Sequence, residues 1–345
     1  MNRVVVYRLT FTAPLHVDGQ GTGFYQSSEP FIHSDTLSAA LLSIWAKLQP
    51  TDLKQWSAEP PLIQLPFLLT SAFPYYFDPH QPEPPLYFLP RPLNSRAIRL
   101  DKANLKLSKK IKKIKWLDIA IWQKVVAGQW NWQNPNEALW LPQSIATNTL
   151  ANRNRLPRAE QFQFWVEAEQ TRVSLDRATN NAIEGQLFNF SRIHYHPYSG
   201  LYFLVKFTDN RIKTTFESVL SWLGDSGIGA DRSCGHGCFT WQADELHLPS
   251  ALPNQPAIAL SLVIPNADEL THKETWLKNA AYDFIKRGGW IAETTQRKQA
   301  VRMFTEGSYF AQPLAGQIVT LGKHPQGHPI FRDGRGFFIG VKPNS

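Results

Sequence analysis

A glycine-rich stretch at residues 227–239 combines the residue types best suited to contact with an anion. Glycine has no Cβ, so the backbone can turn sharply and bring its N–H groups close to a phosphate, while an arginine adds charge. The stretch follows a predicted helix, precedes a predicted strand and contains no Gly-Lys-Ser/Thr, which excludes the Walker loop and the dinucleotide fingerprint. We therefore predict contact with a ribonucleotide backbone, with a ligand-free surface hairpin as the alternative. The candidate residues are Gly227, Gly229, Arg232, Ser233, Gly235, His236 and Gly237.

A second anion-binding candidate is the segment at residues 91–115, which holds ten basic residues and one acidic residue. The whole chain carries a net charge of +8, so the other residues together are close to neutral. Such a local concentration of charge suits a polyphosphate backbone, whose counterions it would release on binding. The alternative is a solvated loop that repels itself. The candidates for RNA contact are Lys109, Lys110, Lys112 and Lys113.

Composition indicates a cytoplasmic protein with no membrane partner. The chain has 345 residues, 43% of them hydrophobic, which is enough for two domains with filled cores. No apolar run approaches the length of a transmembrane helix, and the N-terminus lacks a cleavage site of small residues. The two cysteines fit a reducing compartment.

The elements that must position these candidates alternate between strands and helices. An α+β fold is expected, in which residues 1–248 form a ferredoxin-like (RRM-like) βαββαβ domain with an antiparallel sheet covered by helices on one face. The glycine-rich stretch then connects the second helix to the last strand. The predicted elements are strands at 3–12, 163–176, 185–193, 200–207 and 238–246, and helices at 35–48 and 210–223.

A large irregular insertion is expected in this domain at about residues 91–160, where the only periodic pattern predicts a helix at 116–126. Three prolines between residues 249 and 256 indicate a linker. Residues 256–345 are expected to form a second ferredoxin-like domain, which opens with an apolar strand at 257–264.

Four short motifs follow one another along the chain. They are residues 31–41 (FIHSDTLSAAL), 173–180 with 185–188 (VSLDRATN and GQLF), 227–239, and 287–290 with 297–298 and 303–308 (RGGW, RK and MFTEGS). In this order they resemble the motifs of the repeat-associated (RAMP) proteins of CRISPR systems. The C-terminal motif is similar to that of the subunit of type III-A effectors that caps the 5′ end of the guide RNA. The resemblance covers most of the chain, and the basic segment has no counterpart in it.

The resemblance implies a non-enzymatic RNA-binding subunit without cofactor, metal or catalytic residue. Such a subunit holds the repeat-derived 5′ tag of the crRNA and docks the large polymerase-like subunit and the backbone subunits. An extended thumb brings it near the target RNA.

Three further groups of residues have chemistry that suits RNA contact. A helix N-terminus near residue 34 favours phosphate, a strand-to-loop element near residue 176 can splay a nucleotide, and residues 287–290 offer a cation and a stacking surface. The alternatives are an ion pair that holds the second element and a tight turn with a core tryptophan for the third. The candidates are His33, Ser34 and Thr36; Arg172, Asp176 and Arg177; and Arg287, Gly288 and Trp290.

Several other functions stay open at this stage. A metal-independent crRNA-processing endoribonuclease of the same superfamily would use a histidine as general base. Target-RNA cleavage would need an acidic residue after the first strand, and a zinc site would use thiolates with an imidazole. A general single-strand binder is a further class. The corresponding residues are His16, His33, His194 and His196 for processing, Asp18 for cleavage, and Cys234, His236 and Cys238 for zinc, with His196 or His247 as a fourth ligand.

Overall fold

The protein is described by a computed structural model that covers residues 2–18, 26–56, 64–97, 109, 111–130, 138–148, 155–156, 161–176, 179, 181–291, 294 and 296–341. Within these residues the chain forms a mixture of strands and short to medium helices. The strands are β1 (Asn2–Phe11), β2 (Phe67–Leu69), β3 (Phe73–Tyr76), β4 (Leu86–Pro90), β5 (Trp116–Asp118), β6 (Ala138–Leu141), β7 (Ile145–Asn148), β8 (Trp165–Leu175), β9 (Ala182–Tyr195), β10 (Ser199–Phe207), β11 (Phe239–Leu248), β12 (Ala257–Ala259), β13 (Phe284–Arg287), β14 (Val301–Phe304), β15 (Tyr309–Phe310), β16 (Gly316–Lys323), β17 (Pro329–Arg335) and β18 (Phe338–Gly340). The helices are α1 (Ser34–Leu48), α2 (Pro50–Trp56), α3 (Ile119–Val126), α4 (Lys213–Ser226), α5 (Ala267–Thr271) and α6 (Lys273–Trp276), with 3-10 turns at Leu93–Ala97, Asn210–Ile212 and Arg232–Cys234.

A large and mostly antiparallel sheet organises the first two thirds of the chain. Its strands lie in the order β11-β1-β10-β3-β4-β5-β7-β6, and β2 also pairs with β10. Helix α1 follows β1 and helix α4 follows β10, and the two helices contact each other. The prediction of an α+β fold is confirmed at this level.

The core between helices and sheet is rich in aromatic side chains. Trp45 of α1 and Phe216 of α4 are fully buried, and both contact Phe67 at ring distances of 5.8 and 5.2 Å. Tyr7 of β1 lies 5.4 Å from Phe216. These positions follow the apolar periodicity of each element, which is why the sequence predicted the helices and strands here.

The predicted insertion is more regular than expected, because β5, β6 and β7 extend the main sheet. The prediction of one helix over 116–126 is wrong in its first turn, since β5 occupies residues 116–118 and α3 begins at Ile119. Asp118 ends the strand and caps the helix by accepting the N–H of Ile121 at 2.7 Å, and it also accepts the Thr147 hydroxyl at 2.6 Å. A strand of three residues, such as β5, is too short to show a periodic pattern in the sequence.

A long two-stranded ribbon, β8 with β9, stands apart from the main sheet. The exposed apolar side chains of the ribbon include Val166, Val173 and Leu187. The predicted strands at 163–176 and 185–193 therefore exist, but β9 begins earlier, at Ala182.

The last third of the chain forms small sheets: β15-β12-β18, β13-β14 and β16-β17. The predicted strand at 257–264 is shorter, since only Ala257–Ala259 are in β12. Backbone bonds join this part to the first, for example the Ser71 N–H to the Leu260 carbonyl at 2.9 Å. The boundary near residue 250 stays a prediction. Among the described residues, no helix has the length and apolar character needed to cross a membrane.

Candidate nucleic-acid interface

Five parts of the chain meet at an open cleft of about 370 Å³. Three of them belong to the sequence motifs described above: the first turns of α1, the start of the glycine-rich stretch, and residues 287–290 with Lys298. The other two are residues 16–18, after β1, and residues 331–332 of β17. The lining residues are His16, Val17, Asp18, Asp35, Thr36, Ala39, Ala40, Ser43, Ile228, Gly229, Ala230, Arg232, Arg287, Gly288, Gly289, Trp290, Lys298, Phe331 and Arg332.

A buried ion-pair cluster, formed by Asp35, Arg287 and Arg332, joins α1 to the C-terminal part of the chain. The Asp35 carboxylate is 1% exposed and accepts two hydrogen bonds of 3.0 Å from Arg287, with Arg332 as a third donor group. Burial alone would raise the pKa of Asp35, but the two guanidinium groups hold it well below its usual range. Arg287 also donates to the Thr36 hydroxyl, so it shapes the cleft. The RNA contact that the sequence predicted for Arg287 stays a prediction.

His33 belongs to a second buried cluster behind the same helix end. Its ring lies 2.8 Å from the Glu306 carboxylate and 3.2 Å from that of Glu29. Burial would lower the pKa of His33, but the two carboxylates raise it to about 9, so the imidazole is charged at neutral pH. A protonated histidine cannot act as the general base of the processing alternative.

Helix α1 begins after His33, which is its N-cap and makes no side-chain cap bond. The Ser34 hydroxyl accepts the Leu262 N–H at 2.9 Å, and the Thr36 N–H donates to Asp35 at 2.8 Å. These groups hold α1 in place within the fold, and the RNA contacts predicted for His33, Ser34 and Thr36 stay predictions.

The glycine-rich stretch is folded back against the end of β1. The Ile228 N–H donates to the Gly237 carbonyl at 3.0 Å, and the Gly237 N–H donates to the Pro14 carbonyl at 2.8 Å. A Cβ at Gly237 would lie 1.9 Å from the Ile228 carbonyl oxygen, and one at Gly229 would lie 2.2 Å from the His16 oxygen. At these two positions glycine is needed because the chain packs closely against its own backbone. The sequence analysis had explained the same glycines by a close approach to phosphate.

We expect Gly237→Ala to destabilise the protein far more than Gly235→Ala. Both glycines have positive φ, at 72° and 79°, so each alanine variant carries a conformational cost of about 1–2 kcal/mol. Only at Gly237 does the added Cβ also meet backbone, since nothing lies within 4 Å of a Cβ at Gly235. Urea unfolding of the two variants isolates the steric effect, and equal losses of stability would contradict it.

Among the basic and aromatic groups that line the cleft, Arg232 and Trp290 are exposed and Lys298 is half-buried. Arg232 is exposed, and Trp290 is 44% exposed with the Arg297 guanidinium 4.4 Å from its ring centre. Trp290 is thus not a core residue. Burial lowers the pKa of Lys298. Neither Lys298 nor Arg332 was a predicted site residue, although Lys298 lies in a motif that carried the family resemblance.

Arg172 of the ribbon and His236 of the glycine-rich stretch both face the Asp231 carboxylate. The Arg172 guanidinium lies 2.5 Å from the Asp231 carboxylate and 4.6 Å from the Phe190 ring, and the His236 ring lies 3.5 Å from the same carboxylate. The ion-pair alternative for Arg172 is therefore present. Asp176 accepts the Thr179 hydroxyl at 3.0 Å in the ribbon's turn, outside the cleft, and Arg177 lies outside the described residues.

The described lysines of the basic segment are at the surface. Lys109, Lys112 and Lys113 are exposed while Ile111 is buried, and Lys110 lies outside the described residues. Arg91, from the same segment, is buried and donates to the Ile111 carbonyl at 2.6 Å. The lysines do not line the cleft, so they form a separate candidate surface.

The remaining catalytic and metal candidates have protein partners or surface positions. His16 is buried, with Nδ1 2.7 Å from the Ser191 carbonyl, and burial lowers the pKa of His196. His194 is exposed on β9, and Asp18 lines the cleft. In the part of the chain that the structure describes, no three His, Cys, Asp or Glu residues are placed to hold a metal ion.

Comparison with known proteins agrees with the motif resemblance. Over residues 253–341 the chain matches the C-terminal domain of CRISPR Csm4. It is 22% identical to the CRISPR system protein Csm4 of Methanocaldococcus jannaschii over 352 residues, which span 92% of this chain and 88% of that protein. It is 33% identical to Csm4 of Mycobacterium tuberculosis over 129 residues, 34% of this chain and 40% of that protein.

The fold is also that of solved Csm4-containing structures. A chain in the crystal structure of a Csm3–Csm4 subcomplex of the type III-A interference complex matches with a TM-score of 0.66 at 18% identity, covering 99% of this chain and all of that one. A chain of the Csm1–Csm4 cassette with pppApA matches with a TM-score of 0.59 at 16% identity, covering 99% and 98%. The motifs and the fold together define a CRISPR effector subunit of the RAMP type. Within that class, residues 253–341 match the Csm4 C-terminal domain, and the chain is similar to Csm4 proteins over most of its length.

Proposed function

We propose that this chain is a non-catalytic subunit of a type III-A CRISPR effector complex and that it binds the repeat-derived 5′ tag of the crRNA in the cleft. The observation that carries the proposal is the meeting of three family-like motifs at one cleft with accessible cations and a ring. A guanidinium binds phosphate oxygens in pairs, an ammonium adds charge, and an indole stacks on a base.

The basic residues of the cleft fall into a buried, paired group and an accessible group. Arg287 and Arg332 are paired with Asp35 and hold the wall, so their charge is largely balanced. Arg232 and Lys298 are the cations that phosphate can reach, and Trp290 is the exposed ring. Recognition would then combine backbone charge with stacking, as in other proteins that bind single-stranded RNA.

The partners proposed for this chain follow from its relatives. Solved structures contain Csm4 with Csm3 and with Csm1, and by analogy we assign backbone subunits and the large polymerase-like subunit to this chain. The ribbon of β8 and β9 would come near the target RNA. Two ferredoxin-like domains and a cytoplasmic location complete the proposal; the strand order β11-β1-β10-β3 supports the first of these domains.

A role without catalysis is supported by the state of His33, which is held in its charged form. The alternative, a crRNA-processing endoribonuclease, would need a neutral histidine at the scissile phosphate. Cells that carry His16→Ala with His33→Ala should therefore contain mature crRNA and no accumulated precursor. Accumulation of the precursor, with the variant protein still folded, would favour the nuclease.

The proposal is tested by purifying the tagged protein from cells with its genomic neighbours and sequencing the bound RNA. We expect short RNAs that share one repeat-derived 5′ tag. Arg232→Glu and Trp290→Ala should reduce this RNA, whereas the exposed control variants Arg211→Glu and Trp222→Ala should retain it. Random RNA fragments, or equal retention in all variants, would contradict binding of the tag in this cleft.

The basic segment supplies a separate prediction. Lys109→Glu, Lys112→Glu and Lys113→Glu together should weaken RNA binding and flatten its salt dependence, because each lost phosphate contact lowers the slope of log K against log salt by about 0.9 on a duplex and 0.7 on a single strand. Lys110→Glu can be added to the set. Binding constants between low and moderate salt check the result. An unchanged slope would show that these lysines are solvated and contact no phosphate.

A further inference from the structure

One face of the hairpin formed by β13 and β14 exposes aromatic side chains next to basic ones. Phe284 is 51% exposed and Lys286 is exposed, while Arg287 is buried. Tyr282, two residues before Phe284, is 44% exposed. Because side chains alternate along a strand, Phe284 and Lys286 share one face of the hairpin, and both are exposed there.

The aromatic part of this face is a supported platform. Phe284 stacks on the buried Phe304 with ring centres 4.5 Å apart and an interplanar angle of 30°. Tyr282 packs edge-on against both rings, at 5.3 and 5.1 Å. The ring of Phe284 is therefore held from below while half of it remains open to a planar ligand. Exposing large apolar rings to water is unfavourable, and a cluster of such rings often marks a binding surface.

The basic part of the face is a pair of like charges. Lys286 lies directly opposite Arg302 in the antiparallel register, two residues along from the Phe284 and Phe304 pair and on the same face. Like charges at directly opposed positions destabilise a hairpin. In the described part of the chain neither cation has a carboxylate within ion-pair distance. An anion between the two cations would remove the repulsion.

This face leads into the cleft. The strand β13 ends at Arg287, and the next three residues, Gly288 to Trp290, line the cleft wall. Trp290 is itself covered on one side by the Arg297 guanidinium. Lys286 and Trp290 are four positions apart, a distance of at most about 14 Å along the chain, so one extended ligand can reach both.

We propose that Tyr282, Phe284, Lys286 and Arg302 form a second subsite for single-stranded RNA, continuous with the cleft. A base stacks on Phe284, and the adjoining phosphate lies between Lys286 and Arg302. The inference rests on the proposed function, because it extends the RNA path beyond the cleft. Single-stranded RNA is the occupant that matches both halves of the face, since each nucleotide presents a flat ring and an anion at a short, repeated spacing.

The test measures binding of two mixed-sequence RNAs to the full-length protein by fluorescence anisotropy, one of about four nucleotides and one of about twelve. Phe284→Ala, and separately Lys286→Glu with Arg302→Glu, should weaken binding of the longer RNA about tenfold, in line with the loss of one base stack. Binding of the shorter RNA, which the cleft alone can hold, should change less than twofold. Phe284→Tyr should keep the affinity of the parent protein, because it keeps the ring.

Matched controls are Lys273→Glu with Lys278→Glu, which introduce the same charge at exposed positions outside this face. Thermal unfolding of every variant confirms that Phe284→Ala leaves the fold intact, as expected for a half-exposed ring. Equal weakening by the control pair would overturn the subsite, since only net charge would then matter. Unchanged RNA binding combined with the loss of a protein subunit from the purified complex would also overturn it and make the face a protein-docking surface. If Trp290→Ala leaves both RNAs bound, the cleft proposal fails independently of the hairpin.

Discussion

Asp35→Ala is expected to lower the free energy of unfolding by about 3–5 kcal/mol, because it leaves Arg287 and Arg332 as buried charges without their shared carboxylate. The measurement is urea unfolding of the full chain, followed by fluorescence of its tryptophans. Glu245→Ala is the matched control. It breaks a pair with Arg3 whose side chains are 41% and 69% exposed, and it should cost about 0–1 kcal/mol.

The expected consequence of Asp35→Ala reaches the cleft as well. Asp35, Arg287 and Thr36 all line it, so the relative position of α1 and residues 287–298 depends on this cluster. RNA affinity should fall in conditions where the variant is still folded, although the substitution makes the protein more positive. Similar stability losses for Asp35→Ala and Glu245→Ala, or tighter RNA binding, would show that the cluster does not position the cleft.

The second large effect is a loss of stability at alkaline pH that depends on His33. Its pKa is raised from an ordinary value near 6.5 to about 9, so the folded state binds a proton that the unfolded state has released. A raised pKa contributes stability that is fully present below about pH 6.5 and is lost as the pH rises through 9. The shift corresponds to on the order of 3 kcal/mol.

Unfolding free energies measured from about pH 6 to pH 10 check this expectation. His33→Gln should be less stable than the parent protein at pH 6 and should show a much flatter profile above it. His194→Gln, at an exposed position, should keep the parent's profile. Glu306 has the opposite pH dependence. Burial raises its pKa, but the larger combined effect of His33 and the hydrogen bonds to Glu306 leaves the pKa below its usual value. The stability that Glu306 contributes is therefore lost only as the pH falls through the acidic range. A parent profile that is flat between pH 6 and 9 would rule out a charged His33.

The family motifs, the long helices and the first strand could be predicted from the sequence because each depends on residues that are close together in the chain. The apolar repeat of residues 35–48 predicted α1, and alternation at residues 3–12 predicted β1. The glycine-rich stretch was placed correctly between α4 and β11. Motif order alone predicted a RAMP-type subunit, and the comparisons confirm it.

The short strands of the insertion lay beyond this kind of reasoning. The parallel pairing of β5 with β7 joins residues about thirty positions apart, and each strand has only three or four residues. Periodicity needs a longer window to be distinguished from chance. The segment therefore appeared irregular although it continues the main sheet.

The sequence by itself determined which residue types are available, where the helices and long strands lie, and which family the chain resembles. Only the tertiary structure decided which charges a ligand can reach. From the sequence, Arg287 and Arg232 were both predicted as cations for RNA. In the structure Arg287 is buried in an ion pair with Asp35, 252 positions away, whereas Arg232 is exposed. The physical reason is that burial and ion pairing depend on contacts between segments that are distant in sequence. A buried charge without a partner costs free energy, so a buried arginine is paired, but which arginine is buried is decided only by the folded structure.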